Sequence, residues 1–163
     1  MNTMINFPKS IAFLLLVFVL SVPLSGQTAA KLEILFETPA LNWDKAAAFV
    51  LEASDYEIPG MDYIPDDVAF QFVSEQKWLP KNIGPGDTAR LNGIALLLMR
   101  SFDLKGGIFY SIAKSPHHAY RELVYKNVIR GNTDPDMLVS GPQLLLMVNR
   151  ILSVTEEDKA VQQ

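Results

Sequence analysis

Residues 69–102 and 119–152 align without a gap at an offset of 50. The segments read AFQFVSEQKWLPKNIGPGDTARLNGIALLLMRSF and AYRELVYKNVIRGNTDPDMLVSGPQLLLMVNRIL. Ala69/Ala119, Asn82/Asn132, Pro85/Pro135, Leu96/Leu146 and Arg100/Arg150 are identical pairs. Val73/Leu123, Leu79/Ile129, Ile94/Leu144, Leu98/Val148 and Phe102/Leu152 pair apolar with apolar. A short unit cannot bury its apolar face alone, so a duplication of this kind predicts copies packed about a shared core. Each copy reads as a helix, a turn and a longer helix. The prediction is an all-α fold of about five helices, in helix-turn-helix units of period about 50.

Local signals place those helices. Leu41–Ser54 carries Ala46, Phe49, Val50 and Ala53 on one face, the spacing of an amphipathic helix. Asp55–Pro65 reads as an ordered aromatic loop, and Asp66 or Asp67 is expected to cap a second helix ending at Trp78-Leu79-Pro80. In the LPKNIGPGD linker Pro85 fixes one dihedral while Gly84 and Gly86 free others. The third helix, about Leu91 to Phe102, is apolar on most sides along Ile94–Met99, which predicts a central, buried position. Lys105-Gly106-Gly107 should end it with a left-handed glycine. Ser115-Pro116 opens a fourth helix, and Ser140 with Gln143 forms a capping box for a fifth. The one stretch with a strand-like pattern is Gly107–Ile112.

The first thirty residues read as a targeting segment. Lys9 precedes ten apolar residues, Ile11–Leu20, and Pro23, Ser25 and Gly26 break the run. This is the pattern of a secretory signal peptide, too short to span about 30 Å of hydrocarbon, with cleavage expected after Gly26 or Ala30. The expected organisation is then a signal peptide over 1–30, a repeat domain over 31–154 and a flexible charged tail over 155–163. With no cysteine in the chain, a lipid-modified cysteine after the signal, disulfides and thiolate chemistry are all excluded. From Lys31 onward the formal charge is −5. An acidic chain without a basic stripe suits neither nucleic acid nor an anionic membrane surface.

The repeat form resembles the S-layer homology domain. Each unit has a short helix ending in an aliphatic pair, a Gly/Asp/Pro turn, then a helix opened by a small or polar residue. Val128-Ile129-Arg130-Gly131, Asp134-Pro135-Asp136 and Val139-Ser140 carry the likeness most fully, and Thr38–Ser54 looks like the second half of another unit. Thr38/Thr88, Leu41/Leu91 and Asn42/Asn92 also repeat at 50, although a shift of two fits the family helix better. The chain is also similar to small exported spirochaete proteins with a KGG segment, an AYREL helix and a DPDM turn. Where the family has Thr-Arg-Ala-Glu, whose arginine and acid help form pockets for an anionic wall polymer, this chain departs from it. It has Arg90-Leu91-Asn92-Gly93, Ser140-Gly141-Pro142-Gln143 and, on the shifted fit, Asn42-Trp43-Asp44-Lys45. No unit keeps both arginine and acid. The resemblance therefore implies the scaffold without carrying over polymer binding.

Residue chemistry is sparse. His118 and Glu122 have a two-ligand spacing on a helix beside His117, but no third ligand is nominated. Asp62, Asp66 and Asp67 lack a calcium-loop pattern, and Gly84–Asp87 lacks the lysine and hydroxyl of a phosphate loop. Arg100 and Arg150 recur near the ends of apolar helices, where they can bind helix-terminal carbonyls or line a carboxylate or sugar-acid pocket. Tyr56, Tyr63 and Trp43 either form a contact surface or pack over the core edge. These features predict a non-enzymatic, cofactor-free, exported envelope or periplasmic module that binds or scaffolds through protein contacts. Its groove would lie between units, lined by Arg90, Arg100, Arg150, Asn82, Asp87, Asn132, Asp134 and Asp136. Cell-wall polysaccharide binding is the first alternative, and a hydrolase or metal-binding protein the second.

Overall fold

The computed structural model describes residues 32–54, 56, 58, 61, 63–131 and 133–161, with side chains to residue 155. The expected signal peptide, Asp62 and Asn132 lie outside the described residues. The chain divides into two compact units, Met1–Leu35 and Phe36–Gln163. In the first, residues 32–35 are helical, part of a helix α1 over 32–37. The second unit holds α2 (Trp43–Ala53), α3 (Asp66–Glu75), α4 (Leu91–Ser101), α5 (Ile108–Ile112), α6 (Pro116–Tyr125) and α7 (Gly141–Val161). The fold is all-α: seven helices and no strand occur among the described residues. None of these helices is long and apolar enough to cross a membrane.

Helix α4 is the centre. Leu91, Ser101 and every residue from Gly93 to Met99 are buried, and α4 packs on both α6 and α2. Helix α3 packs on α2, and Tyr56, Phe72 and Trp78 close its edge as an aromatic trio with centroids 5.2–5.8 Å apart. Trp43 is 2% exposed, so it belongs to the core. Helix α7 runs on through Thr155 to Val161.

Several local expectations need correction. Gly107–Ile112, the one stretch with a strand-like pattern, joins the all-α fold as α5, with Ser111 N–H donating to Gly107 O and Ala113 N–H to Phe109 O. Five residues are too few for periodicity to separate the two states. Helix α3 is capped by Pro65 without a side-chain bond, and Asp66 and Asp67 fall in its first turn, where their charge still suits the helix dipole. The left-handed residue after α4 is Asp103 (φ 45°), not a glycine. Lys77 (φ 59°) and Asn127 (φ 56°) hold the same place after α3 and α6. All three ends close alike, as in Trp78 N–H to Val73 O, Leu104 N–H to Met99 O and Val128 N–H to Leu123 O, the six-to-one bond of a Schellman cap. Gly106 serves space instead, because a Cβ there would meet the Tyr110 ring at 2.6 Å. In the linker the positive φ belongs to Asn82 (62°), not to Gly84 or Gly86.

Candidate functional site

A ring of three backbone hydrogen bonds organises the region around the helix starts. Leu41 N–H donates to Val139 O (2.9 Å), Val139 N–H to Ala89 O (3.1 Å) and Ala89 N–H to Leu41 O (2.7 Å). All three residues are fully buried. Each lies two residues before the first residue of a long helix, at Trp43, Leu91 and Gly141. Those starts are 48 and 50 residues apart.

The first N–H groups of a helix have no partner within it. Here the neighbouring turns supply partners. Trp43 and Asp44 N–H donate to Asp87 O and Pro85 O; Leu91 and Asn92 N–H donate to Met137 O and Pro135 O; Gly141 N–H donates to Thr38 O. Helices α2 and α4 accordingly have no side-chain cap at Asn42 or Arg90. Helix α7 adds the expected box: Ser140 N–H donates to Gln143 Oε1 (2.9 Å) and Gln143 N–H to Ser140 Oγ (3.4 Å). Ser115 caps α6 in the same way, accepting from His118 N–H with proline at the helix start.

An open groove of about 540 Å3 lies where these turns meet the helix starts. Arg90, Asn92, Asp136 and Leu138 line it together with Asp87, Thr88, Pro80 and Ile83. Trp43 and Pro116 complete the lining. Arg90 Nη1 donates to Asp136 O (2.8 Å), and Asn92 Nδ2 to Asp136 Oδ1 (3.0 Å). That uses one of the five N–H donors of the guanidinium. Asp87 Oδ2 accepts from Gly84 N–H at 2.7 Å, and Asp134 Oδ1 accepts from Asp136 N–H at 2.9 Å, so both acids also build their turns. Gly93 permits the Trp43 ring to lie against α4: a Cβ there would stand 2.6 Å from Trp43 and 2.8 Å from Pro80.

Of the residues expected at the groove, Arg90, Asp87 and Asp136 line it. Asn82 is exposed in its left-handed turn and Asp134 in the third turn, outside the lining. Arg150 lies elsewhere, with Nη1 donating to Val128 O (2.8 Å). Arg100 is also elsewhere, and its Nε is buried without a hydrogen-bond partner, like the Tyr110 hydroxyl. Burial pushes the Tyr110 hydroxyl above its ordinary pKa; Arg100 pulls it down, while Asp103 and Glu122 push it up. Asn92 and Leu138 also line the groove, beyond the residues expected there. Their signal was the offset of 50 itself, since Thr88 and Leu138 occupy equivalent turns.

The histidines do not converge with carboxylates. His118 Nδ1 lies 3.0 Å from both Ser115 Oγ and Ala113 O, and its ring stacks on Phe109 at 6.4 Å. Among the described residues, no group of three or more His, Asp or Glu side chains is placed to hold a metal ion. The groove thus mixes apolar side chains with a guanidinium, an amide, a hydroxyl and two carboxylates. Compared with known proteins, the chain matches no protein family, no curated protein and no solved structure.

Proposed function

We propose that this protein is a non-enzymatic, exported module of the cell envelope or periplasm that binds or scaffolds through protein contacts, on a divergent S-layer-homology-like framework. The groove carries the reading: the apolar side chains of Trp43, Pro80, Ile83 and Leu138 beside polar ones have the make-up of a protein contact site. The three-membered backbone ring supports a repeat framework, because equivalent segments before three helices meet there. Trp43 and Gly93 speak against a polymer pocket at this junction. They stand where the family has its arginine and its acid, and the indole is packed against the glycine. Export rests on the Lys9 and Ile11–Leu20 pattern alone.

Arg90 favours one second reading. It is exposed and lines the groove with donors to spare, as an anionic cell-wall polysaccharide would require. The test is retention of purified protein from Lys31 onward on isolated peptidoglycan sacculi and, separately, on detergent-solubilised envelope proteins. The expected result is capture of one defined envelope protein, lost on Leu138→Asp with folding intact, and no sedimentation with sacculi. Sedimentation with sacculi that Arg90→Ala abolishes would favour the polysaccharide instead. Capture of neither would refute both.

A further inference from the structure

Helix α5 presents an apolar surface that the core does not use. Ile108 is 77% exposed, Phe109 74% and Ile112 81%, while Tyr110 between them is 3% exposed. The display is built and held. Tyr110 is locked against Gly106, Ser111 Oγ bonds Gly107 O at 3.1 Å, and the Phe109 ring stacks on His118. Lys105 and Lys114 flank the helix, both exposed. The segment from Leu104 to Lys114 holds these two cations and no carboxylate. Asp103 precedes it, and Glu122 stands beside Gly107. The acidic chain as a whole suits an anionic surface poorly, but Leu104–Lys114 itself carries +2, with Asp103 and Glu122 only at its edges.

Size narrows the occupant. Three side chains of this kind offer on the order of 400–500 Å2, about half of the roughly 800 Å2 each partner buries in a stable protein interface. A bilayer interface needs no shape match, and it rewards a few inserted apolar groups next to lysines that meet lipid phosphates. We propose that α5 is a membrane-docking tip, with Ile108, Phe109 and Ile112 entering the interface of a bilayer that carries anionic lipid and Lys105 and Lys114 resting on its headgroups. This surface is separate from the groove and does not depend on what the groove binds.

The absence of cysteine allows a site-specific test on the full chain. An environment-sensitive fluorophore is attached at Ile112→Cys and, as a control, at Gln71→Cys on the exposed side of α3. Adding phosphatidylcholine–phosphatidylglycerol vesicles is expected to blue-shift and raise emission severalfold at position 112 and leave position 71 unchanged. Lys105→Glu with Lys114→Glu, or added salt, should remove most of that rise. No change at 112 overturns the proposal. So does an equal change at 71, which would assign lipid contact to another part of the chain. A rise at 112 that follows protein concentration without vesicles also overturns it, since a second copy would then cover the face.

Discussion

Leu96 and Leu146 are the same residue at the same repeat position, yet Leu96 is 3% exposed and Leu146 is 53% exposed. The contrast extends along their helices. Helix α4 is enclosed by α2 and α6. Helix α7 buries Leu144, Met147, Val148 and Ile151 and leaves Leu146 and Leu152 outside. Near-identical apolar runs thus have different burial, because burial depends on how many neighbours the position in the array supplies. The arginines repeat the lesson. Arg150, on α7, donates to Val128 O, while the matching Arg100 Nε has no hydrogen-bond partner.

The sharpest way to break this comparison is to truncate both leucines. Leu96→Ala should cost about 2–5 kcal/mol, the range for a buried leucine, and Leu146→Ala should stay within about 0.5 kcal/mol. Urea unfolding of the two variants measures the difference, and equal losses would mean that α7 is covered as α4 is. Next in size is Gly93→Ala, which drives a methyl group into Trp43 and Pro80. It should destabilise by about 1–3 kcal/mol, although alanine is the better helix former. Combining it with Trp43→Leu should recover most of that loss in a double-mutant cycle. At the matching position of the third unit, Gln143→Ala should cost about 1 kcal/mol through loss of the capping box alone.

Arg150→Met should lose about 1–2 kcal/mol with the bond to Val128 O, whereas Arg100→Met should be close to neutral. The smallest effect is at Tyr110. Its buried, unpartnered hydroxyl gives Tyr110→Phe an expected gain of up to about 1 kcal/mol. Burial raises its pKa above the ordinary 10.0. Below pH 10.0 both folded and unfolded chains keep the proton. Above it the unfolded chain releases the proton first, so stability falls as pH rises. Tyr110→Phe should flatten that alkaline loss, as thermal melts between neutral pH and pH ~11 would reveal.

What could be read beforehand was local. The apolar length of Ile94–Met99 announced a central helix, and Ser140 with Gln143 and Ser115 with Pro116 announced helix starts, because each signal lies within a few residues. The ring of Leu41, Ala89 and Val139 left no such mark: backbone N–H and C=O groups are the same in every residue, and the bonds join residues 48, 50 and 98 positions apart. Arg90 was nominated through the family resemblance, as a stand-in for the family's arginine, and it lines the groove and bonds Asp136 O. Arg100 and Arg150 were indistinguishable in sequence, since what separates them is the neighbouring turn. The α5 surface was hidden for another reason. GIFYSI has the composition of a core strand, and only the burial of Tyr110 among its large apolar side chains makes the rest a display.

Three helix starts are tied into one cooperative ring, which positions the groove. Native-state hydrogen exchange at the Leu41, Ala89 and Val139 amides tests it most directly. All three should exchange only through global unfolding, with the same free energy and the same denaturant dependence. Exchange of any one of them through a separate local opening, well below the global value, would contradict it.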